Sequence, residues 1–227
     1  MKIALIIKFF RKVNIVKTIY FNFHYFPLKI AIRLPFLIFW RTSLYRMKGN
    51  IIINYPIKTG MVKIGPHNLG TQDMFYSRTI WEVEGTLSIG GGNICIGRGC
   101  RISISRNAKL TLGTSFNITG NTTIYCTKEI SFGNDCLLSW DILIMDTDSH
   151  DIIDEDGVKI NYPKSIQIGN HVWIGCRNTI LKGVTIGDNC IVSANSVVTN
   201  SFTEVNCIIG GHGRSLGVIK KGINWRI

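Results

Sequence analysis

Six aliphatic residues, Ile168, Ile174, Ile180, Ile186, Val192 and Val198, recur at intervals of six near the C-terminal end of the chain. Glycine follows three of them, at Gly169, Gly175 and Gly187, and a small or modest residue stands four places on, as Val172, Val184, Cys190 and Ser196. A helix repeats about every 3.6 residues and an ordinary strand about every 2, so neither fits this spacing. A period of six suits a chain that turns a corner every six residues. Each coil then has three flat faces, and one aliphatic side chain per face points inward onto its counterpart in the next coil. The spacing therefore predicts an all-β solenoid, a parallel β-helix of hexapeptide repeats. The same interval runs through Ile96 and Ile102, through Leu112, Ile118 and Ile124, and through Phe132, Leu138 and Ile144. The jumps between runs read as insertions at corners, where a solenoid places its loops.

One stretch breaks the repeat completely. Residues 145–165 are crowded with Asp, Gly, Asn and Pro and read as a loop thrown out from one corner. The organisation expected is a basic amphipathic N-terminal segment over 1–50, the β-helix over 51–207 with the inserted loop 145–165, and a short tail over 208–227. The 23 glycines fit a fold of tight corners.

Charge divides the chain unevenly. The net charge is +12, and residues 1–72 hold 12 of the 26 Lys and Arg with no acid before Asp73. The remainder is balanced, 14 basic against 14 acidic residues, so the solenoid carries no basic field of its own and nucleic acid is not an expected partner. Residues 1–48 read as helical and amphipathic, with Ile15, Val16, Ile19, Tyr20 and Phe23 set among Arg11, Lys12 and Lys17, and with breaks at Pro27 and Pro35. The longest uncharged apolar stretches, 3–7 and 34–40, fall far short of the roughly 20 residues that span a bilayer. Two compatible roles follow, a cap on the open first coil and a contact with an anionic membrane surface. The seven cysteines are odd in number, form no C-x-x-C pair and sit where the repeat wants small apolar side chains. They read as free thiols in a reducing, cytoplasmic setting, peripheral to the inner membrane face if the contact is made.

The inserted loop carries one histidine, His150, after Asp146, Thr147, Asp148 and Ser149. A histidine with a carboxylate two places away suits a general base, and loops on rigid scaffolds carry function. A surface histidine of no consequence is the plain alternative, but this loop is the one long break in the late repeats. His171 belongs to the ordinary repeat text and reads as structural or exposed. His24, His67 and His212 share no ligand spacing, and no metal site is expected.

The segments 168–175, 180–189 and 194–199, together with 139–150 and Ile223 to Trp225, resemble the left-handed β-helix acetyltransferases. That group includes maltose and galactoside O-acetyltransferases and the acyltransferases of bacterial polysaccharide clusters. The resemblance implies a left-handed β-helix, a homotrimer, and acetyl-CoA lying in the groove between neighbouring solenoids. It implies that His150 is the base. Trp173, with Gly175 beside it, matches the tryptophan near the active site, and Cys176 sits where the family offers a backbone amide to the thioester oxygen. Ala194 and Thr199 match the pantetheine path. Asn121 lies near the asparagine of the acceptor pocket, and Trp140 is taken as a second acceptor contact. Three departures concern the nucleotide end: Ser193 to Ser196 replaces Gly-Ala-Gly-Ser, Asn200 replaces a lysine, and the tail Gly211 to Ser215 lacks proline. Arg214, Lys220 or Lys221 is the expected replacement at the phosphates.

The expected chemistry is direct transfer of acetyl to a sugar hydroxyl in surface polysaccharide or lipopolysaccharide synthesis. Asp146 or Asp148 would orient the His150 imidazole, and the Cys176 N–H would stabilise the oxyanion. The alternatives are N-acetylation of a nucleotide-linked amino sugar and a non-catalytic trimeric scaffold.

Overall fold

The computed structural model describes residues 12–226 apart from 68, 71 and 74, so the expectations placed on residues 1–11 lie outside it. The chain coils into a left-handed parallel β-helix with three sheets. Each coil contributes one short strand to each sheet in turn. Strands Leu137–Trp140, Trp173–Ile174 and Ile191–Val192 are neighbours in the first sheet, and Leu143–Met145, Thr179–Leu181 and Val197–Val198 in the second. Glu129–Phe132, Ile166–Ile168 and Thr185–Ile186 are neighbours in the third.

The period of six becomes the register. Leu138 pairs with Ile174 and Ile174 with Val192. Ile144 pairs with Ile180 and Ile180 with Val198, while Phe132 pairs with Ile168 and Ile168 with Ile186. All of these side chains are buried in one continuous core. The backbone turns its corners through left-handed residues, and they stack. Asn121, Asp141, Arg177 and Asn195 line the edge between the first and second sheets with φ of 48° to 58°. Asn and Asp tolerate that region better than most residues, which is why they recur there. Five of the seven cysteines are buried core thiols, and Cys95 and Cys176 are half-buried. Burial pushes the Cys100 and Cys136 thiols up to about 12 and about 11, which keeps them inert.

The N-terminal segment keeps the expected breaks at Pro27 and Pro35 but departs from the helical reading after the second of them. Helix α1 (Ile15–Tyr25) is capped by Asn14, whose Oδ1 accepts the Lys17 N–H at 2.9 Å. A short helical turn follows at Leu28–Ala31. After Pro35 the chain already enters the solenoid: Phe36–Ile38 joins the first sheet and Thr42–Met47 the second. A run of apolar residues beside an unpaired sheet edge gains ladder hydrogen bonds as well as burial, and Pro35 prevents the helix from continuing. The last parallel strand, Cys207–Gly210, likewise stacks on Ile191–Val192, and Gly217–Lys221 folds back antiparallel to close that end.

Helix α1 lies over the first coil. Phe21 is fully buried, with ring centroids 4.9 Å from Phe36 and 5.3 Å from Trp81. The buried Asn22 side chain donates to the Phe36 carbonyl at 2.8 Å and accepts its N–H at 3.1 Å. That amide stands in for a missing neighbouring strand, so the coil end keeps its backbone polar groups paired.

Candidate active site

The inserted segment leaves the second sheet at Asp146 and rejoins the third at Ile166. Asp146 is completely buried. Its Oδ1 accepts the Thr127 N–H at 2.7 Å and the Thr127 hydroxyl at 2.8 Å, and its Oδ2 accepts the N–H groups of Lys128 and Glu129, each at 2.8 Å. Those contacts correct the expectation that this carboxylate orients the imidazole. It is consumed by the corner of the preceding coil and fixes the point from which the arm departs.

Beyond it the arm is a hairpin. Ile153 bridges Lys159, and Asp154 accepts the Gly157 N–H at the tip. Asn161 organises its base. The Asn161 amide nitrogen donates to the Asp148 carboxylate and to the His150 carbonyl, both at 2.8 Å, and its oxygen accepts the Ile152 N–H at 2.7 Å. The Asp148 carboxylate also pairs with the Lys182 ammonium from the next coil. Lys182 and Asn161 together hold the Asp148 carboxyl below the usual carboxylate range. Ser149, with φ 66°, turns the chain in the left-handed region just before His150. His150 itself is exposed, and its ring has no hydrogen-bond partner among the described residues. Asp148 therefore fixes the His150 backbone through Asn161 and makes no contact with the imidazole, which differs from the role expected of it.

A depressed carboxyl keeps this ion pair intact above its ordinary value and loses it only as pH falls through the lower folded-state value. Lys182→Met is expected to lower by about tenfold any activity that depends on His150, through misplacement of the arm, since small displacements of a catalytic group are costly. The pH–rate profile should stay where it is. A profile that shifts in this variant would mean that the Asp148 pair titrates with the catalytic base.

A second set of residues runs along the edge between the first and second sheets. Two places beyond the register partners Leu138, Ile174 and Val192 stand Trp140, Cys176 and Ala194, one per coil, with Gly120 paired to Trp140 in the coil before. Neighbouring strands are about 4.8 Å apart, so these three positions cover about 10 Å of edge. The tail continues the column: Gly211 accepts the Val197 N–H at 3.0 Å, and Arg214 follows in a short exposed 3-10 turn. Lys220 is exposed opposite Ile208 in the closing hairpin. Gly175 owes its identity to packing, because a Cβ there would stand 2.8 Å from Ala194 N and 2.9 Å from the Val192 oxygen. The Cys176 N–H points to no acceptor among the described residues. Asn121 lies on the same edge, but Gln72 donates to its side chain at 2.6 Å, so loop residues already cover it.

Trp173 projects from the first sheet and donates its indole N–H to Ser139 Oγ at 3.1 Å. Its neighbour His171 is a structural residue. The Trp225 ring stacks on it at 4.1 Å, the Trp225 indole donates to the His171 carbonyl at 2.8 Å, and the His171 ring meets the Trp225 carbonyl at 3.1 Å. His171 thus clamps the C-terminal segment to the solenoid.

One protomer does not unite all the expected residues. His150 and Thr199 lie at the corner between the second and third sheets. Trp140, Cys176, Ala194 and Arg214 lie at the opposite end of the second-sheet strands. Asn161 and Lys182 were not singled out in the sequence, because a loop asparagine and a corner lysine carry no periodic signal. Among the described residues no group of three His, Cys, Asp or Glu is placed to hold a metal ion.

The description of the bacterial transferase hexapeptide family (six repeats) matches residues 165–200. The sequence is 44% identical over 82 residues to a polysialic acid O-acetyltransferase of Neisseria meningitidis, covering 36% of this chain and 36% of that protein. It is 30% identical over 135 residues to a polysialic acid O-acetyltransferase of Escherichia coli O1:K1, covering 59% of this chain and 41% of that one. The chain spans less than half the length of these two relatives. A crystal structure of a polysialic acid O-acetyltransferase is 30% identical, with 82% of this chain and 71% of that chain covered and a TM-score of 0.49.

Proposed function

We propose, from the premise that this chain belongs to the hexapeptide-repeat acetyltransferase family, that it is an acetyl-CoA-dependent O-acetyltransferase acting on a sugar hydroxyl of a surface polysaccharide. The observation that carries the reading is His150, an exposed imidazole without a hydrogen-bond partner among the described residues, held at the base of an arm that is itself stapled to the solenoid through Asp148, Asn161 and Lys182. The polysialic acid O-acetyltransferases named above favour a saccharide acceptor over an amine.

The site is completed between copies. The arm exposes Ile152, Ile153, Val158, Ile160 and Tyr162, each more than half accessible in the single protomer. So much apolar surface on a thin hairpin calls for a neighbouring wall. In a homotrimer the arm of one protomer would bring His150 to the Trp140–Cys176–Ala194 edge of the next. Acetyl-CoA would lie along that edge, with Arg214 or Lys220 at its phosphates, Trp173 and Gly175 on one flank and Thr199 of the protomer that supplies the arm on the other. Trp140 would face the acceptor.

The steps then follow from the groups. His150 takes the proton of the sugar hydroxyl as the oxygen attacks the thioester carbonyl. The Cys176 N–H stabilises the developing oxyanion. Collapse of the tetrahedral species expels the coenzyme A thiolate, which takes the proton back from His150. No acyl-enzyme is required.

The test is calorimetry with acetyl-CoA followed by a transfer assay on a panel of polysialic acid, neutral saccharides and amino sugars. Binding of one acetyl-CoA per protomer with transfer to a hydroxyl is expected. Binding without transfer to any hydroxyl, but with transfer to an amino sugar, would move the protein to N-acetylation. No binding at all would leave a scaffold. Light scattering is expected to give a trimer, and Ile160→Glu with Tyr162→Glu is expected to give monomers with transfer reduced at least tenfold. A fully active monomer would refute the shared site.

A further inference from the structure

Helix α1 has two apolar faces, and the fold uses only one. Thr18, Phe21 and Asn22 face the first coil. On the opposite side Val16 is 78% exposed, Tyr20 57%, and Ile19 and Phe23 nearly half. Leu28 and Ile32, 67% and 62% exposed, extend the same end of the molecule. Soluble surfaces scatter single apolar residues but rarely gather so many large ones on one element. A cap needs its inner face apolar and gains nothing from an apolar outer face.

The charged residues that this segment itself supplies have a single sign, while Glu82 and Glu84 pair with Arg46 and Asp73 lies near Arg41. Lys12, Lys29 and Arg33 are exposed beside it, and Arg41 stands exposed next to Trp40, itself 57% exposed. No Asp or Glu occurs among residues 12–72. A protein partner of ordinary composition does not demand a docking helix and turn without a single acid of their own, whereas an anionic lipid surface favours them, because it attracts each nearby basic residue and repels each carboxylate. An amphipathic helix with an apolar face and flanking Lys and Arg lies in the interface plane. Among the described residues no helix is long and apolar enough to cross a membrane, so the contact would be peripheral.

We propose that the outer face of α1 and the turn after it dock the protein end-on onto an anionic bilayer surface. Val16, Ile19, Tyr20 and Phe23 enter the headgroup boundary, and Lys12, Lys29 and Arg33 meet lipid phosphates. In this arrangement the solenoid axis stands away from the bilayer and the His150 arm sits several coils above it. The docking does not depend on the acetyl-transfer reading, since the two use different ends of the molecule.

The full chain is to be tested by flotation with vesicles of phosphatidylcholine alone and of phosphatidylcholine with phosphatidylglycerol, at low and high salt. Binding is expected only to the anionic vesicles, weakening as salt screens the charges. Replacing Lys12, Lys29 and Arg33 together by Gln should lower partition about a hundredfold at low salt. Val16→Glu with Tyr20→Glu should abolish it, while circular dichroism and transfer to a soluble acceptor stay unchanged. Absence of binding by the folded wild type, or equal salt-insensitive binding to both vesicles, would overturn the proposal. A wild-type assembly that Val16→Glu with Tyr20→Glu splits into smaller species would also overturn it, by making this face a contact between copies.

Discussion

Replacing His150 by Ala is expected to lower acetyl transfer by about 10²–10⁴-fold with coil, assembly and acetyl-CoA affinity unchanged. The expectation rests on what the imidazole does and does not touch. Its ring holds no hydrogen bond among the described residues, and the side chain is exposed, so its removal strands no polar group and opens no cavity. The backbone of His150 is held by Asn161, which the substitution leaves in place. His171→Ala is the control with the opposite signature. That ring stacks on Trp225 and meets its carbonyl, so its loss should loosen the C-terminal segment and cost stability while leaving most of the transfer rate. Steady-state transfer and urea denaturation on the two variants check both statements. If His171→Ala were the inactive variant and His150→Ala the active one, the base would be misassigned.

Asp146→Ala is expected to destabilise the fold by roughly 3–5 kcal/mol, the largest stability effect foreseen for a single polar substitution here. The buried carboxylate serves three backbone N–H groups and one hydroxyl of 127–129. Truncation leaves those donors buried without an acceptor, each at a cost of about 1–3 kcal/mol before relaxation or an entering water recovers part of it. Asp146→Asn should cost less, because the amide keeps one acceptor oxygen. Denaturation midpoints in urea give the comparison, with activity measured at a temperature where the variant is folded. A catalytic partner of His150 would show the reverse, near-normal stability with a collapsed rate. An unchanged midpoint in Asp146→Ala would refute the structural role.

Much of the architecture was legible in the sequence because a solenoid repeats itself. Ile168 to Val198 declare the coil length, the inward positions and the parallel register, since each inward residue must stack on its counterpart one coil away. The inserted loop was legible as the place where that repeat stops, and His150 as the titratable group it carries. The N-terminal boundary was less legible. Phe36–Ile38 contains no repeat of its own and becomes strand only because Val62–Ile64 lies beside it. Tertiary pairing there outweighs local propensity.

The roles of the acidic residues in the loop were not legible at all. Asp146 and Asp148 flank Thr147 and are chemically identical, and either can be drawn beside an imidazole two or four places on. What separates them is direction. Asp146 ends a strand, and its side chain meets the corner of the preceding coil, a contact across 17 to 19 residues of chain. Asp148 turns outward to Lys182, 34 residues on. The sequence by itself determined the coil, its core and the histidine offered at its interruption, because those follow from periodicity and composition along the chain. Only the tertiary structure decided which carboxylate is buried, that Asn161 and Lys182 position the arm, that His171 is a clamp, and that α1 leaves one apolar face bare. Each of those depends on which side chains successive coils bring within hydrogen-bond reach, and such distances are set by stacking rather than by spacing in the chain.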